Sequence, residues 1–142
     1  MKTVLSIAAL FLFTISATAQ ETVYRSELPS KVRSFLSSNF RSPLNHAVRL
    51  TDDDNDSTSY SIILNNNTEI KFAEDGKWTL IDGKGNTVPY SYLEKPIVEY
   101  LKTNHGKNCV TKVEICDSEC RLALNNGQAL KFDNKGNVIA NN

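Results

Sequence analysis

The chain has 142 residues, with 16 basic and 16 acidic side chains and no net formal charge. Without the N-terminal leader that carries Lys2, the balance tips by one negative charge, which favours neither nucleic acid nor an anionic membrane surface. The length fits one compact domain, or two small repeats that share one core.

Residues 1–19 read as a signal peptide. Lys2 is the positive end, Val4 to Ile15 is mostly apolar, and Ala17-Thr18-Ala19 is a small-x-small cleavage site before Gln20. The apolar run is too short for a comfortable span, which argues against an uncut N-terminal anchor. No cysteine follows the cleavage point, so a lipid anchor is not indicated. The predicted location is the periplasm or the exterior, with no membrane span after cleavage.

From Leu28 the spacing becomes helical. Leu28, Val32, Phe35, Leu36 and Phe40 share one apolar stripe, while Lys31, Arg33, Ser34 and Ser37 take the other face. Pro29 suits a first helical residue, and Asn39 to Pro43 carry stop signals. Four short strands are predicted next, at about His46 to Thr51, Thr58 to Asn65, Thr68 to Ala73 and Lys77 to Asp82. Tyr60, Ile62 and Leu64 alternate with Ser61 and Ile63, and Ile70 and Phe72 alternate with Glu69 and Lys71, as in a sheet with one wet face. Asn66-Asn67 and Asp75-Gly76 occupy tight turns that want positive φ. Residues 83–91, with Gly83, Gly85 and Pro89, read as a linker.

The pattern then recurs. Leu93, Ile97, Tyr100 and Leu101 echo the first helix 65 positions later, and Lys131-Phe132 and Gly136 echo Lys71-Phe72 and Gly76 at a shift of 60. About five extra residues therefore lie in the first copy, in the acidic stretch Thr51 to Ser59. Residues 20–82 and 92–142 read as two tandem repeats, each a helix followed by a four-stranded antiparallel meander. The predicted class is α+β, with one continuous sheet and both helices on one face. The opposite face is left open to solvent or to a partner.

The string Arg121 to Val138, preceded by the helix from Leu93 to Tyr100, resembles the PepSY-like family of beta-lactamase-inhibitor-like proteins. Ile70-Lys71-Phe72 through Gly76-Lys77-Trp78 carries the same pattern in the first copy. The resemblance covers nearly all of the chain after the leader. It implies an exported bacterial protein, common in Bacteroides-like organisms, whose architecture is similar to that of beta-lactamase inhibitor protein, in which a concave sheet clasps an enzyme. It implies no site residues, and fold likeness does not carry function.

By parity, the open face carries Arg49, Lys71, Arg121 and Lys131 among mixed charges and small groups, with Tyr90 and Tyr92 of the linker as further anchors for a protein partner. A solvated face is equally compatible with that composition. Asp52, Asp54 and Asp56 alternate in a loop that could offer oxygens to calcium, but the glycine and glutamate of an EF-hand loop are missing, and an exposed, charged hairpin is the simpler reading. Cys116 and Cys120 flank Asp117-Ser118-Glu119 between two strand-like runs and are expected to form a disulfide. Cys109 is left over, as a small buried hydrophobe or as an exposed thiol. Three cysteines without a nearby histidine do not make the usual zinc spacing. His46 and His105 have no nucleophile or carboxylate at triad spacing, no G-x-S-x-G or phosphate loop occurs, and Trp78 reads as core. No catalytic residue and no cofactor are expected. The primary reading is an exported, non-catalytic module that binds an exported or envelope protein through the open sheet face. The alternative is a small-ligand or calcium-responsive periplasmic protein using the acidic loop, and an enzyme is a distant third.

Overall fold

The computed structural model describes residues 18–53 and 56–141. The expected leader lies outside the described residues apart from its last two positions, and so does Asp54. In chain order the protein forms β1 (Thr18–Thr22), a 3-10 turn (Arg25–Glu27), α1 (Ser30–Asn39), β2 (Leu44–Asp52), β3 (Ser57–Leu64), β4 (Glu69–Phe72) and β5 (Trp78–Asp82). It continues with α2 (Lys95–Asn104), β6 (Val110–Cys116), β7 (Glu119–Leu124), β8 (Ala129–Phe132) and β9 (Val138–Asn141). Among the described residues, nine strands join one antiparallel sheet whose spatial order is the order in the chain. The α+β class and the single sheet expected from the sequence are both found.

One row of apolar side chains runs straight across this sheet. Cross-strand pairing aligns Ala47, Ile62, Ile70, Ile81, Val113, Leu122 and Leu130, all at most 2% exposed. Because antiparallel partners point to the same side, these residues define one buried face. Both helices cover it. Val32 and Leu36 of α1 and Ile97 and Leu101 of α2 enter the same core, and each helix adds an aromatic at the same turn. Phe35 meets Phe72 edge-on with ring centres 5.7 Å apart, and Tyr100 meets Phe132 edge-on at 5.5 Å.

The helix starts are seated by close approach to the sheet. Gly76 and Gly136, at φ of 81° and 85°, occupy the β4–β5 and β8–β9 turns, where an added Cβ would lie 3.0 Å from Cβ of Lys31 and of Pro96 respectively. Only glycine accepts both the backbone angle and the contact.

Strand β1 is an addition to the expected elements. Its sequence, TAQET, has no alternation, and it forms because β2 is long enough to pair with it from Val48 to Asp52. The β2–β3 hairpin, with strands of nine and eight residues, is thus longer than the β6–β7 hairpin, with strands of seven and six. The segment read as a linker is also bound to the sheet: the Gly83 amide donates to the Thr111 carbonyl at 2.9 Å, and the Val88 amide to the Val110 carbonyl at 2.8 Å.

Candidate binding surfaces

The register places a second row on the open face, one residue away from the buried row. Across β2 to β9 it reads Val48, Ser61, Lys71, Leu80, Glu114, Arg121, Lys131, Ala140. Three of the six residues expected to bind a protein, Lys71, Arg121 and Lys131, fall in this row. At about 4.8 Å per strand, Lys71 and Arg121 stand about 14 Å apart.

Each cation is held by a half-buried acid. Glu69 lies 3.6 Å from the Lys71 Nζ and 3.0 Å from the Lys84 Nζ, and Lys84 also reaches Asp82 at 3.3 Å. Burial raises the pKa of Glu69, but the hydrogen bond and charge of Lys84 and the charge of Lys71 outweigh it, so the carboxyl titrates below its ordinary range. On the other half of the sheet Glu119 lies 2.9 Å from the Lys131 Nζ and 3.7 Å from the Arg121 guanidinium. Arg121 and Lys131 are direct cross-strand partners, a like-charge pair that costs stability unless an acid such as Glu119 offsets it.

The other three residues expected on this face lie on the helix side. Arg49 pairs opposite Tyr60, which pairs opposite the buried Phe72, so its side chain shares their face, where it forms an ion pair with Glu21. Ala47, locked opposite Ile62, sets that parity, and the irregularity between Leu44 and His46 defeats a simple count along the strand. Tyr90 packs against the core beside Val98 of α2. Tyr92 is wedged between Phe35 and Trp78, at ring-centre distances of 5.2 and 5.4 Å.

The expected Cys116–Cys120 disulfide is not formed, and all three cysteines are free thiols. The turn between β6 and β7 has two residues, Asp117 and Ser118, at φ of 50° and 64°, and it pairs Cys116 with Glu119 and Cys120 with Ile115. A loop one residue shorter than expected sends the two sulfurs to opposite faces. Cys120 is in the core, where burial pushes its thiol up to about 11, so it stays protonated and unreactive near neutrality.

On the helix side, beside the start of α2, the sequence reading missed a cleft. Trp78, Tyr92, Ile115 and Cys120 line a cavity of about 470 Å³, with Lys77 and Asp133 also in its lining. Ile115 is 39% exposed there although its pairing opposite Cys120 puts it on the helix side of the sheet. Trp78, expected as core, is only partly buried. The Tyr92 hydroxyl is shielded without a hydrogen-bond partner among the described residues, and burial raises its pKa. Such a cleft can hold an apolar group, and with its thiol protonated it presents no activated nucleophile.

The acidic loop is the tip of the β2–β3 hairpin. Asp52 pairs opposite Ser57 in the ladder, and Asp56 adopts φ of 47° in the turn. Among the described residues no three histidine, cysteine or carboxylate side chains gather as a metal site. His46 is exposed, and His105 is buried at the end of α2 against Tyr100.

The model of the family described as beta-lactamase-inhibitor-like, PepSY-like matches residues 58–140, which runs from β3 through β9. No curated protein matches the chain in sequence. Among solved structures, a periplasmic protein of the DUF2874 family from Bacteroides vulgatus is similar at 27% identity and a TM-score of 0.77, covering 87% of this chain and 96% of its own. A protein from Bacteroides thetaiotaomicron described as calcium-regulated and periplasmic is similar to the same extent, with identical coverage. A second Bacteroides vulgatus periplasmic protein, of unknown function, is 25% identical at a TM-score of 0.76, covering 87% and 99%. Among the described residues no helix is long and apolar enough to cross a membrane. The protein is periplasmic, as these neighbours are, and it belongs to the PepSY-like, beta-lactamase-inhibitor-like family.

Proposed function

We propose that this protein is a non-catalytic binding module whose partner, an exported or envelope protein, lies across the open face of the sheet. The observation that carries the reading is the cross-strand row from Lys71 to Lys131. Its cations are held in place by Glu69 and Glu119 yet remain 47%, 46% and 35% exposed at Lys71, Arg121 and Lys131. Charges fixed before contact lose little freedom on binding, and their pattern gives orientation and on-rate to a partner with acidic groups. The family description as inhibitor-like is consistent with such a role.

The test begins with cross-linked capture from an extract of the protein's own envelope. The Lys71→Glu, Lys131→Glu double variant should then bind the captured partner about 10- to 100-fold more weakly, mainly through a slower on-rate, with an unchanged circular dichroism spectrum. Unaltered binding by that folded variant rejects the open face.

A second reading is supported by the neighbour described as calcium-regulated. In that case the hairpin carrying Asp52, Asp54 and Asp56 acts as the sensor. Millimolar calcium should then raise the melting temperature by a few degrees over a chelated sample, and Asp52→Asn with Asp56→Asn should abolish the rise. Identical melting with calcium and with chelator removes this reading.

A further inference from the structure

We propose that the free edge of β9 is a docking site for a second copy of this chain, the two β9 strands pairing antiparallel about a two-fold axis so that two sheets become one. The molecule contains its own precedent. Trp78 to Ile81 of β5 correspond to Val138 to Asn141 of β9, and both strands take the same position beside an inner neighbour, β4 or β8. On its outer side β5 receives β6, pairing Leu80 with Glu114 and Ile81 with Val113. Strand β9 pairs with β8 alone among the described residues.

Natural sheets protect such edges with charge, proline, a bulge or a very short strand. Strand β9, with the sequence VIAN, has no charged residue and no proline. It does have a register irregularity, between Lys131 and Phe132, but the same irregularity between Lys71 and Phe72 does not prevent β5 from accepting β6. Val138 and Ile139 are 40% and 50% exposed, so this edge, which is short but has neither charge nor proline, is also apolar. The opposite edge, β1, carries Glu21 in its ion pair with Arg49.

A second copy is the occupant these features favour. An uncharged strand meets its own twin without like-charge repulsion, and a two-fold pairing shields Ile139 on both partners in a closed, symmetric contact. Strands of four residues bury much less than the roughly 1,000 Å² of a stable interface, so the dimer is weak and appears as concentration rises. The open face stays free in such a dimer, so this inference stands apart from the reading above.

Sedimentation velocity of the mature protein from about 1 μM to about 1 mM should show the mass rising from monomer toward dimer. At the upper end the β9 amides should gain protection from hydrogen exchange. Ile139→Lys, with an unchanged circular dichroism spectrum, should weaken the dimer at least about tenfold by opposing two ammonium groups across the axis. Tyr24→Lys, at a residue 79% exposed elsewhere, should leave it unaltered. A monomer at every concentration overturns the proposal, and so does a dimer indifferent to Ile139→Lys. Protection of β9 only by a different envelope protein overturns it in favour of that partner.

Discussion

Replacing Phe132 with alanine should lower the unfolding free energy by about 3–5 kcal/mol, a large part of the roughly 5–15 kcal/mol a domain possesses. Phe132 is fully buried, Tyr100 stands edge-on against it, and the Tyr100 hydroxyl accepts a 3.5 Å hydrogen bond from the Asn141 amide. Truncation leaves a hole beneath α2 that the sheet backbone cannot close. The same variant tests whether the core is one unit. The sole tryptophan, Trp78, lies on β5 in the first half of the sheet, three strands from Phe132 on β8. In a single cooperative core, Trp78 fluorescence and far-ultraviolet circular dichroism should shift together to a lower urea midpoint in Phe132→Ala. A tryptophan midpoint that stays in place would mean that the two halves melt separately.

Gly83→Ala should cost close to the upper end of the roughly 1–3 kcal/mol range of overpacking, although it adds one methyl group. Its Cβ would fall 2.1 Å from the Asn86 carbonyl oxygen and 2.9 Å from Val88 Cγ1. That oxygen belongs to a turn closed by the Asn86 amide on the Gly83 carbonyl at 3.0 Å. The backbone must move, and the hydrogen bonds of Gly83 and Val88 to β6 move with it. Gly85→Ala is the control: nothing lies within 4 Å of its Cβ, so only its φ of 91° opposes the change, for about 1 kcal/mol. Equal melting temperatures for the two variants would show that the close approach at Gly83 is not tight.

Gly83 also shows what could not be read in the sequence. As one of several glycines between two patterned segments it looks like linker, and only the tertiary pairing of β5 with β6 reveals that the segment is held at both ends. The helices were legible because their stripes, Val32 with Leu36 and Ile97 with Leu101, follow the helical period and each faces one sheet. The wet face was legible at Lys71, Arg121 and Lys131, where buried neighbours on both sides fix the alternation. It failed at Arg49, because Val48 and Leu50 look like inward residues while the ladder points Ala47 and Arg49 toward the helices. It failed at Cys116 because the turn to β7 is one residue shorter than expected, so Cys116 pairs with Glu119 and shares no face with Cys120. Tyr92 carried no periodic signal at all. Its place beside Trp78 and Phe35 is set by tertiary contacts with α1 and β5, which no local pattern encodes.

Because spatial and sequence order coincide in the sheet, the chain can be assembled progressively. Strands β2 to β5 and β6 to β9 close by turns of a few residues, and only the pairings of β1 with β2 and β5 with β6 enclose a helix within a loop of about thirty residues or fewer. Small loops of that kind close at modest entropic cost, which favours folding for a sheet of this size. A chain delivered N-terminus first can add strands one after another, and at each stage the next segment to emerge is the one that pairs with the strand just laid down.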